Sequence, residues 1–276
     1  MTRIVNNCVA LVCLCLFWGQ SLRAADASHS EQIKWGNESV FNEEHNTLGL
    51  FSGVLGGQIV LAGGTSDDYS RWGRNAVCLS ENAGFALYED VLSKPLAYGA
   101  SITLSDGILC IGGRDSSQCY KDVFLVTMQQ GKLNVSEDWP PLPFPLSNAA
   151  GALLDNKVYL FGGRKSVSPS RLSDSFFVLD LSNKSRGWKE LPGYPGCVRE
   201  DAILVVQNNG VSPCLYLLGG QTETEEGLSS CLTDGYVYNP QLGKWSSLGS
   251  DFPKGICAAV ASGANHILLF QKEFLF

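Results

Sequence analysis

A cation and two carboxylates stand in a row at Arg199, Glu200 and Asp201. Such a triplet holds what proton transfer needs: a carboxylate to take or give a proton, and a guanidinium to hold an anion. It opens an apolar run, so Arg199 and Glu200 read either as a catalytic pair or as an ion pair at a strand end. Arg114 and Arg164 each directly follow a glycine pair. They either line a binding mouth and attract a carboxylate, or are solvated loop arginines pairing with Asp115 or Asp174. Arg71 and Arg74, in the long loop after another glycine pair, carry the same two readings. Tyr98 and Asn148 stand at entries like that of the triplet, where they would hydrogen-bond a ligand or serve packing and turns.

The elements that position these residues repeat. Glycine pairs occur at Gly63-Gly64, Gly112-Gly113, Gly162-Gly163 and Gly219-Gly220, spaced by 49, 50 and 57 residues. Each closes an apolar run: Ile59-Val-Leu-Ala62, Ile108-Leu-Cys-Ile111, Val158-Tyr-Leu-Phe161 and Leu215-Tyr-Leu-Leu218. A tryptophan follows three of the pairs, at Trp139, Trp188 and Trp245, and in the first repeat Phe85 or Tyr88 takes that place. A strand ending in Gly-Gly with a period near ~50 is the signature of kelch repeats, each one blade of a β-propeller. The fold class is therefore all-β, with four full blades and a partial fifth. The expected blades are 49–92, 96–140, 147–191 and 199–248, with the partial one at 255–270. The three tryptophans are expected at equivalent positions, largely buried in the wedges between blades. The innermost strands run through Ala100, Ala150, Leu204 and Ala258, where small residues suit the crowded axis.

The ends differ from the repeats. Arg3, the apolar run Val9-Ala-Leu-Val-Cys-Leu-Cys-Leu-Phe-Trp18 and the small residues Ala24, Ala25 and Ala27 read as a secretory signal peptide over 1–24, too short for a comfortable membrane span. The mature protein is expected to be exported, periplasmic or secreted, and free of the membrane. Loss of 1–24 removes two arginines and no acid, taking the net charge from -7 to -9. That acidity argues against nucleic acid and against anionic membranes. Seven cysteines remain, with no CxxC and no Cys/His metal spacing, so no metal site is expected. An odd count leaves at least one free thiol; one or two disulfides, involving Cys214 and Cys231, are open. Three histidines are too few for a propeller copper oxidase. There is no P-loop, GxSxG or HExxH. The acidic loop from Glu223 to Glu226 reads as a solvated turn.

The fifth repeat begins normally at Cys257, but Gln271-Lys272 stands where a glycine pair is due and the sequence ends at Phe276. At the other end, within segment 25–44, Ile33-Lys34-Trp35 resembles the outer strand of a blade. The ring is expected either to be incomplete or to be closed by this N-terminal strand completing the last blade over the range 45–276.

Three stretches, Pro95-Leu-Ala-Tyr-Gly-Ala-Ser101, Trp139-Pro-Pro-Leu-Pro-Phe-Pro-Leu-Ser-Asn148 and Asp234-Gly-Tyr-Val-Tyr-Asn-Pro240, resemble the exported kelch-type N-acetylneuraminate mutarotases, also called epimerases. The blade order is similar to the cyclically permuted branch, and the likeness covers about 45–270. It implies a six-bladed propeller that interconverts the anomers of sialic acid without a cofactor. A base would take the anomeric hydroxyl proton, an acid would protonate the ring oxygen, and an arginine would hold the sugar carboxylate. The family's functional glutamate and arginine are expected just after the glycines of a blade that would follow Phe276. Glu273 has no arginine after it and does not inherit the role. The sequence thus reads as a C-terminally truncated isomerase of this type, possessing Arg199 and Glu200 as candidate catalytic residues and Arg71, Arg74, Tyr98, Arg114, Asn148 and Arg164 as candidate binding residues. Its alternative is a non-catalytic module binding a glycan or a protein.

Overall fold

The computed structural model describes residues 48–80, 84–224 and 226–271. The expected signal segment 1–24, the segment 25–44 with Trp35, and Glu273 lie outside the described residues. The first sheet holds β1 (Leu48–Leu55), β2 (Gln58–Thr65), β3 (Ala76–Ser80) and β4 (Gly84–Tyr88), and the second holds β5 (Ala100–Thr103), β6 (Ile108–Ile111), β7 (Val123–Gln129) and β8 (Lys132–Ser136). In the third, β9 (Ala150–Leu154) and β10 (Lys157–Phe161) are followed by a small hairpin, β11 (Arg164–Ser166) and β12 (Arg171–Leu172), before β13 (Phe176–Asp180) and β14 (Lys189–Glu190) complete the sheet. The fourth repeats the plan with β15 (Ile203–Asn208), β16 (Pro213–Leu218), the hairpin β17 (Gln221–Glu223) and β18 (Ser229–Cys231), then β19 (Gly235–Asn239) and β20 (Lys244–Gly249). A final hairpin joins β21 (Ile256–Ser262) to β22 (His266–Gln271). Each four-stranded sheet is an antiparallel meander, one propeller blade. The innermost strands pack in series, β1 on β5, β5 on β9, β9 on β15 and β15 on β21. No described helix is long and apolar enough to cross a membrane.

Strand periodicity explains the stacking. Side chains alternate between the two faces of a strand, so the second strand of each blade feeds two wedges. Val60 and Ala62 meet Ile108 and Cys110 in one core. Leu109 and Ile111 meet Val158 and Leu160 in the next, and Tyr159 and Phe161 meet Leu215 and Leu217 in the third. Each fully buried aliphatic or aromatic side chain here contributes roughly 1.5–3 kcal/mol.

The glycine pair fastens one blade to the lead-in of the next. Gly113 donates its N–H to the Leu146 carbonyl at 2.8 Å. Gly112 has a positive φ of 63°, and a Cβ there would sit 2.2 Å from the same oxygen. Any side chain would push the neighbouring blade away, so only glycine allows this approach. Gly64 and Gly163 make the same bond, to Leu96 and Arg199.

The tryptophan expectation holds in position for two residues, and needs correction in position for the third and in burial for all three. Trp245 pairs with Tyr238, which pairs with Leu215. Trp188, one residue before Lys189, falls beside Leu179, which pairs with Val158. These two are equivalent. In the second blade the same rung is held by Val135, opposite Val126 and then Ile108, and in the first by Phe85, opposite Leu79 and then Ile59. Trp139 lies four residues past Val135. It packs into the wedge toward the third blade, where the Lys184 ammonium caps its ring at 4.0 Å and the Trp188 indole donates to the Pro140 carbonyl at 3.0 Å. All three indoles are half-buried rather than largely buried, because they sit at the outer rim of the wedges. Cys214 and Cys231 are free thiols, so the disulfide left open between them does not form.

Candidate functional site

The glycine pairs also aim the site. Past each pair the chain makes one more bridge to its inner strand: Arg114 with Ala97, Arg164 with Ser147, and Gln221 with Glu200. The residue after each of these partners adopts a left-handed backbone, with φ of 59° at Tyr98, 55° at Asn148 and 52° at Asp201; Gly49 matches them at 64°. Their peptides are linked in series. Tyr98 N–H donates to the Gly49 carbonyl at 2.7 Å, Asn148 to Tyr98 at 2.7 Å and Asp201 to Asn148 at 3.0 Å. One residue per blade thus forms an arc around the axis, with an arginine of the next rung beside it. Asparagine and aspartate tolerate this backbone well, whereas tyrosine there is unusual and held by its surroundings.

Arg114 is walled by aromatic rings. Its guanidinium lies 4.7 Å from the centre of Tyr98, 5.1 Å from Trp72 and 6.0 Å from Tyr69. Such faces attract a cation without neutralising it. Its guanidinium makes a long 3.4 Å contact to the Asp115 carbonyl, and no carboxylate pairs with it among the described residues. The Asp115 carboxylate is occupied elsewhere. Desolvation works against its charge, but hydrogen bonds from Tyr120, Ser117 and Gln118 outweigh it and hold its pKa down at about 2.

Arg164 is the opposite case. Its Nε donates to Glu200 Oε2 at 2.8 Å and its Nη2 to Glu200 Oε1 at 2.5 Å, a bidentate fork. Nη2 also reaches Glu223 Oε1 at 3.2 Å, and Ser170 bridges Arg164 to Glu223. The Glu200 bonds hold Arg164 still more firmly protonated. The hairpins β11–β12 and β17–β18 deliver Ser170 and Glu223. Arg164 therefore does not pair with Asp174, nor does Arg114 with Asp115.

Asp201 lies next to this cluster. Asn148 Nδ2 donates to its Oδ1 at 2.8 Å, and no other side chain hydrogen-bonds to it among the described residues. Asp201 is solvent-exposed, yet protein atoms around its carboxylate desolvate it. That desolvation pushes its pKa up to about 6; the Asn148 bond and the charges of Arg164 and Arg114 oppose the rise, and Glu200 adds to it. Tyr98 keeps its proton, since burial and then the Tyr69 hydroxyl, 3.4 Å away, raise its pKa.

Of the residues expected from sequence, Tyr98, Arg114, Asn148, Arg164 and Glu200 converge here. Arg199 does not. It is fully buried and turns into the wedge between the third and fourth blades. There it forks onto Asp234 at 2.7 and 2.8 Å, donates to the Tyr194 hydroxyl and the Gly219 carbonyl at 2.8 Å each, and stacks near Tyr194 and Tyr236. With its donors spent, it cannot touch a ligand. Arg74 pairs with Asp90 at 2.5 Å beyond β4, away from the arc. Arg71 enters through its carbonyl, which accepts from Thr65 Oγ1 at 2.7 Å and shapes the loop that carries Tyr69 and Trp72. Glu223, Ser170, Tyr69 and Trp72 join the site without having been singled out as site residues, and Asp201 joins it from the triplet, where only Arg199 and Glu200 were named as the catalytic pair. Their signal is position, in the loops that follow glycine pairs or one step after Glu200. No group of three or more His, Cys, Asp and Glu that could hold a metal exists among the described residues.

Residues 139–271 match the model of the N-acetylneuraminate epimerase family. Over slightly less than half of its length the chain is similar to the N-acetylneuraminate epimerases. An N-acetylneuraminate epimerase of Yersinia pestis (strain Pestoides F) is 30% identical over 139 residues, 49% of this chain and 33% of that protein. That of Haemophilus influenzae (strain PittEE) is 31% identical over 131 residues, 48% and 32% of the two. A kelch domain-containing protein of Vibrio cholerae is 31% identical over 121 residues, 44% of this chain and 31% of that one. The chain thus spans about a third of the length of the curated relatives it matches. The solved structure of YjhT superposes with a TM-score of 0.63 at 15% identity, covering 80% of this chain and 76% of that one, which establishes a shared fold. The family match takes in Asn148, Arg164, Glu200, Asp201 and Glu223, while Tyr69, Trp72, Tyr98 and Arg114 precede it.

Proposed function

We propose that this chain binds a sugar acid of the N-acetylneuraminate class at the channel mouth and interconverts its anomers. The observation that carries this reading is Arg114, a guanidinium held by three aromatic rings and paired with no described carboxylate. A sugar carboxylate would meet its fork, and the apolar face of a pyranose suits the ring faces of Trp72 and Tyr98. Ring opening and reclosure need only proton transfers, so no cofactor enters. The leader-like segment 1–24 supports export, and N-terminal sequencing of protein recovered outside the cytoplasm tests it. The decisive experiment is NMR of anomeric exchange in freshly released α-N-acetylneuraminate. Faster exchange than in buffer is expected; buffer-rate exchange with folded protein would remove catalysis. A second reading is a glycan-binding module without catalysis. It is favoured by the way Arg164 occupies both Glu200 and Glu223, and it is selected if the sugar binds without acceleration.

A further inference from the structure

The mouth offers three carboxylates, Glu200, Glu223 and Asp201, and their bonds separate them. Both oxygens of Glu200 accept from Arg164. Glu223 Oε1 accepts from Arg164 and Ser170. Asp201 alone of the three makes no ion pair among the described residues; its Oδ1 is fixed by Asn148 at 2.8 Å and its Oδ2 has no hydrogen bond there. The backbone arc holds Asp201 in place, one blade beyond Asn148 and two beyond Tyr98. We propose that Asp201 is the proton-transfer base of this site, positioned by Asn148, and that the Tyr98 hydroxyl is the opposing acid. This rests on the reading that a sugar acid binds at Arg114.

The step balances without an oxidant or reductant. Asp201 Oδ2 takes the proton of the anomeric hydroxyl, and the freed electron pair forms the carbonyl. The bond from the anomeric carbon to the ring oxygen breaks, and its electron pair stays on that oxygen, which takes the Tyr98 proton. After rotation about the bond to the carbonyl carbon, the ring oxygen attacks the other face. It returns its proton to Tyr98, and the new hydroxyl recovers the proton held by Asp201. The groups facing Asp201 are Glu200 beside it, Arg164 and Arg114 from the preceding blades, and Tyr98. A base with a pKa of about 6 is ionised at neutral pH yet still basic enough to be useful.

The test is Asp201→Asn, read by anomeric exchange across pH 5–8 and by calorimetric binding of N-acetylneuraminate. The amide keeps the Asn148 bond and suits the left-handed backbone, so the fold is preserved. In the wild type, exchange is expected to rise with pH through about 6, as the carboxylate ionises. Asp201→Asn is expected to bind within about threefold of wild type and to lose exchange by 10²–10⁴-fold, with the inflection gone. Tyr98→Phe is expected to lose tenfold or more while keeping the inflection, within the range for one acid–base group. Retained exchange in Asp201→Asn, with the wild-type inflection, overturns the role of Asp201 and leaves the proposed function standing. Unchanged exchange in Tyr98→Phe removes Tyr98. A wild type that binds but accelerates nothing overturns this inference together with the catalytic half of the proposed function, whereas one that neither binds nor accelerates overturns the proposed function whole.

Discussion

Arg199 and Arg114 are the same side chain placed beside the same repeat feature, and they do opposite things. Arg199 follows the pattern of Leu96 and Leu146, whose carbonyls accept the glycine N–H of the preceding blade. Its side chain enters the wedge those leucines fill, and the chain supplies Asp234, Tyr194 and Gly219 to satisfy it. Arg114 stands one step past a glycine pair, over aromatic faces, with no described carboxylate. A buried arginine whose donors are all spent is a fastener between blades; one whose charge is left uncompensated at an opening has room for a ligand. Arg164 lies between the two, at the mouth but forked onto Glu200.

The largest effect should come from the fastener. Arg199→Leu leaves Asp234 partly buried without its cation, and breaking such a pair costs about 3–5 kcal/mol. The third blade shows what the wedge accepts instead, Leu146 with Ser175 at the corresponding places. Arg199→Leu with Asp234→Ser should therefore recover more than half of the loss in urea unfolding. If the double variant is as unstable as the single one, the pair contributes more than mutual neutralisation.

Next in size is the aromatic packing of the same wedge. The Trp245 ring lies 5.0 Å from Phe176, 5.1 Å from Tyr238 and 5.9 Å from Phe161 and Tyr194, centre to centre. Trp245→Ala should cost about 3 kcal/mol, the lower end for such truncations because the indole is half-buried. Trp139, off the shared rung and at the rim, should cost less than half as much in the same unfolding measurement. Equal losses would mean that the rung position carries no special weight.

How much of this could be read beforehand follows from what kind of signal each residue sends. The glycine pairs announce the blades because a contact with a neighbouring carbonyl excludes every other residue, leaving a fixed letter at a fixed period. The tryptophan rung is less strict. It requires a large apolar side chain, so Val135 and Phe85 fill it and Trp139 misleads. At the mouth, Arg114, Arg164, Tyr98 and Asn148 are visible because they sit at constant offsets from the glycines. Arg199 misleads because nothing in the triplet shows which way a side chain turns; that depends on Asp234, just before the third strand of its own blade. Glu223 looks like part of a solvated acidic loop, and only the pairing of β17 with β18 brings it to Arg164. Tyr69 and Trp72 lie in a loop whose path no periodicity governs.

The open arginine should behave in the reverse way. Arg114→Ala is expected to change stability by less than about 1 kcal/mol, as surface substitutions do. It should weaken N-acetylneuraminate binding by about 10–100-fold, the worth of a charge-assisted hydrogen bond lost to a carboxylate. Calorimetry measures the second and urea unfolding the first. A large loss of stability with binding intact would make Arg114 a fastener like Arg199 and end the contrast.

The smallest effect, and the sharpest for the two regions, is the pH dependence of stability through their carboxylates. Asp234, beside Arg199, is subject to desolvation that raises its pKa, but the Arg199 fork prevails and sets it below the ordinary 3.8. In acid the unfolded chain then binds more protons at this group than the folded one, so stability rises with pH. That contribution is complete above 3.8 and is lost as pH falls through the folded value. Asp201 has the opposite sign, with its pKa lifted from 3.8 to about 6. Between those values the folded chain binds more protons, so its contribution is present below 3.8 and is lost as pH rises through about 6. Because solvent reaches Asp201, screening keeps its share small. Urea midpoints from pH 3 to 7 separate the two groups. Asp201→Asn should flatten the decline toward pH 6 and leave the acid limb, while the paired Arg199→Leu, Asp234→Ser variant should do the reverse. If Asp201→Asn leaves the decline in place, the carboxylate at the mouth is not held protonated by its surroundings. The mouth would then lack the one acid whose ionisation falls near neutral pH, and the case for proton transfer there would rest on geometry alone.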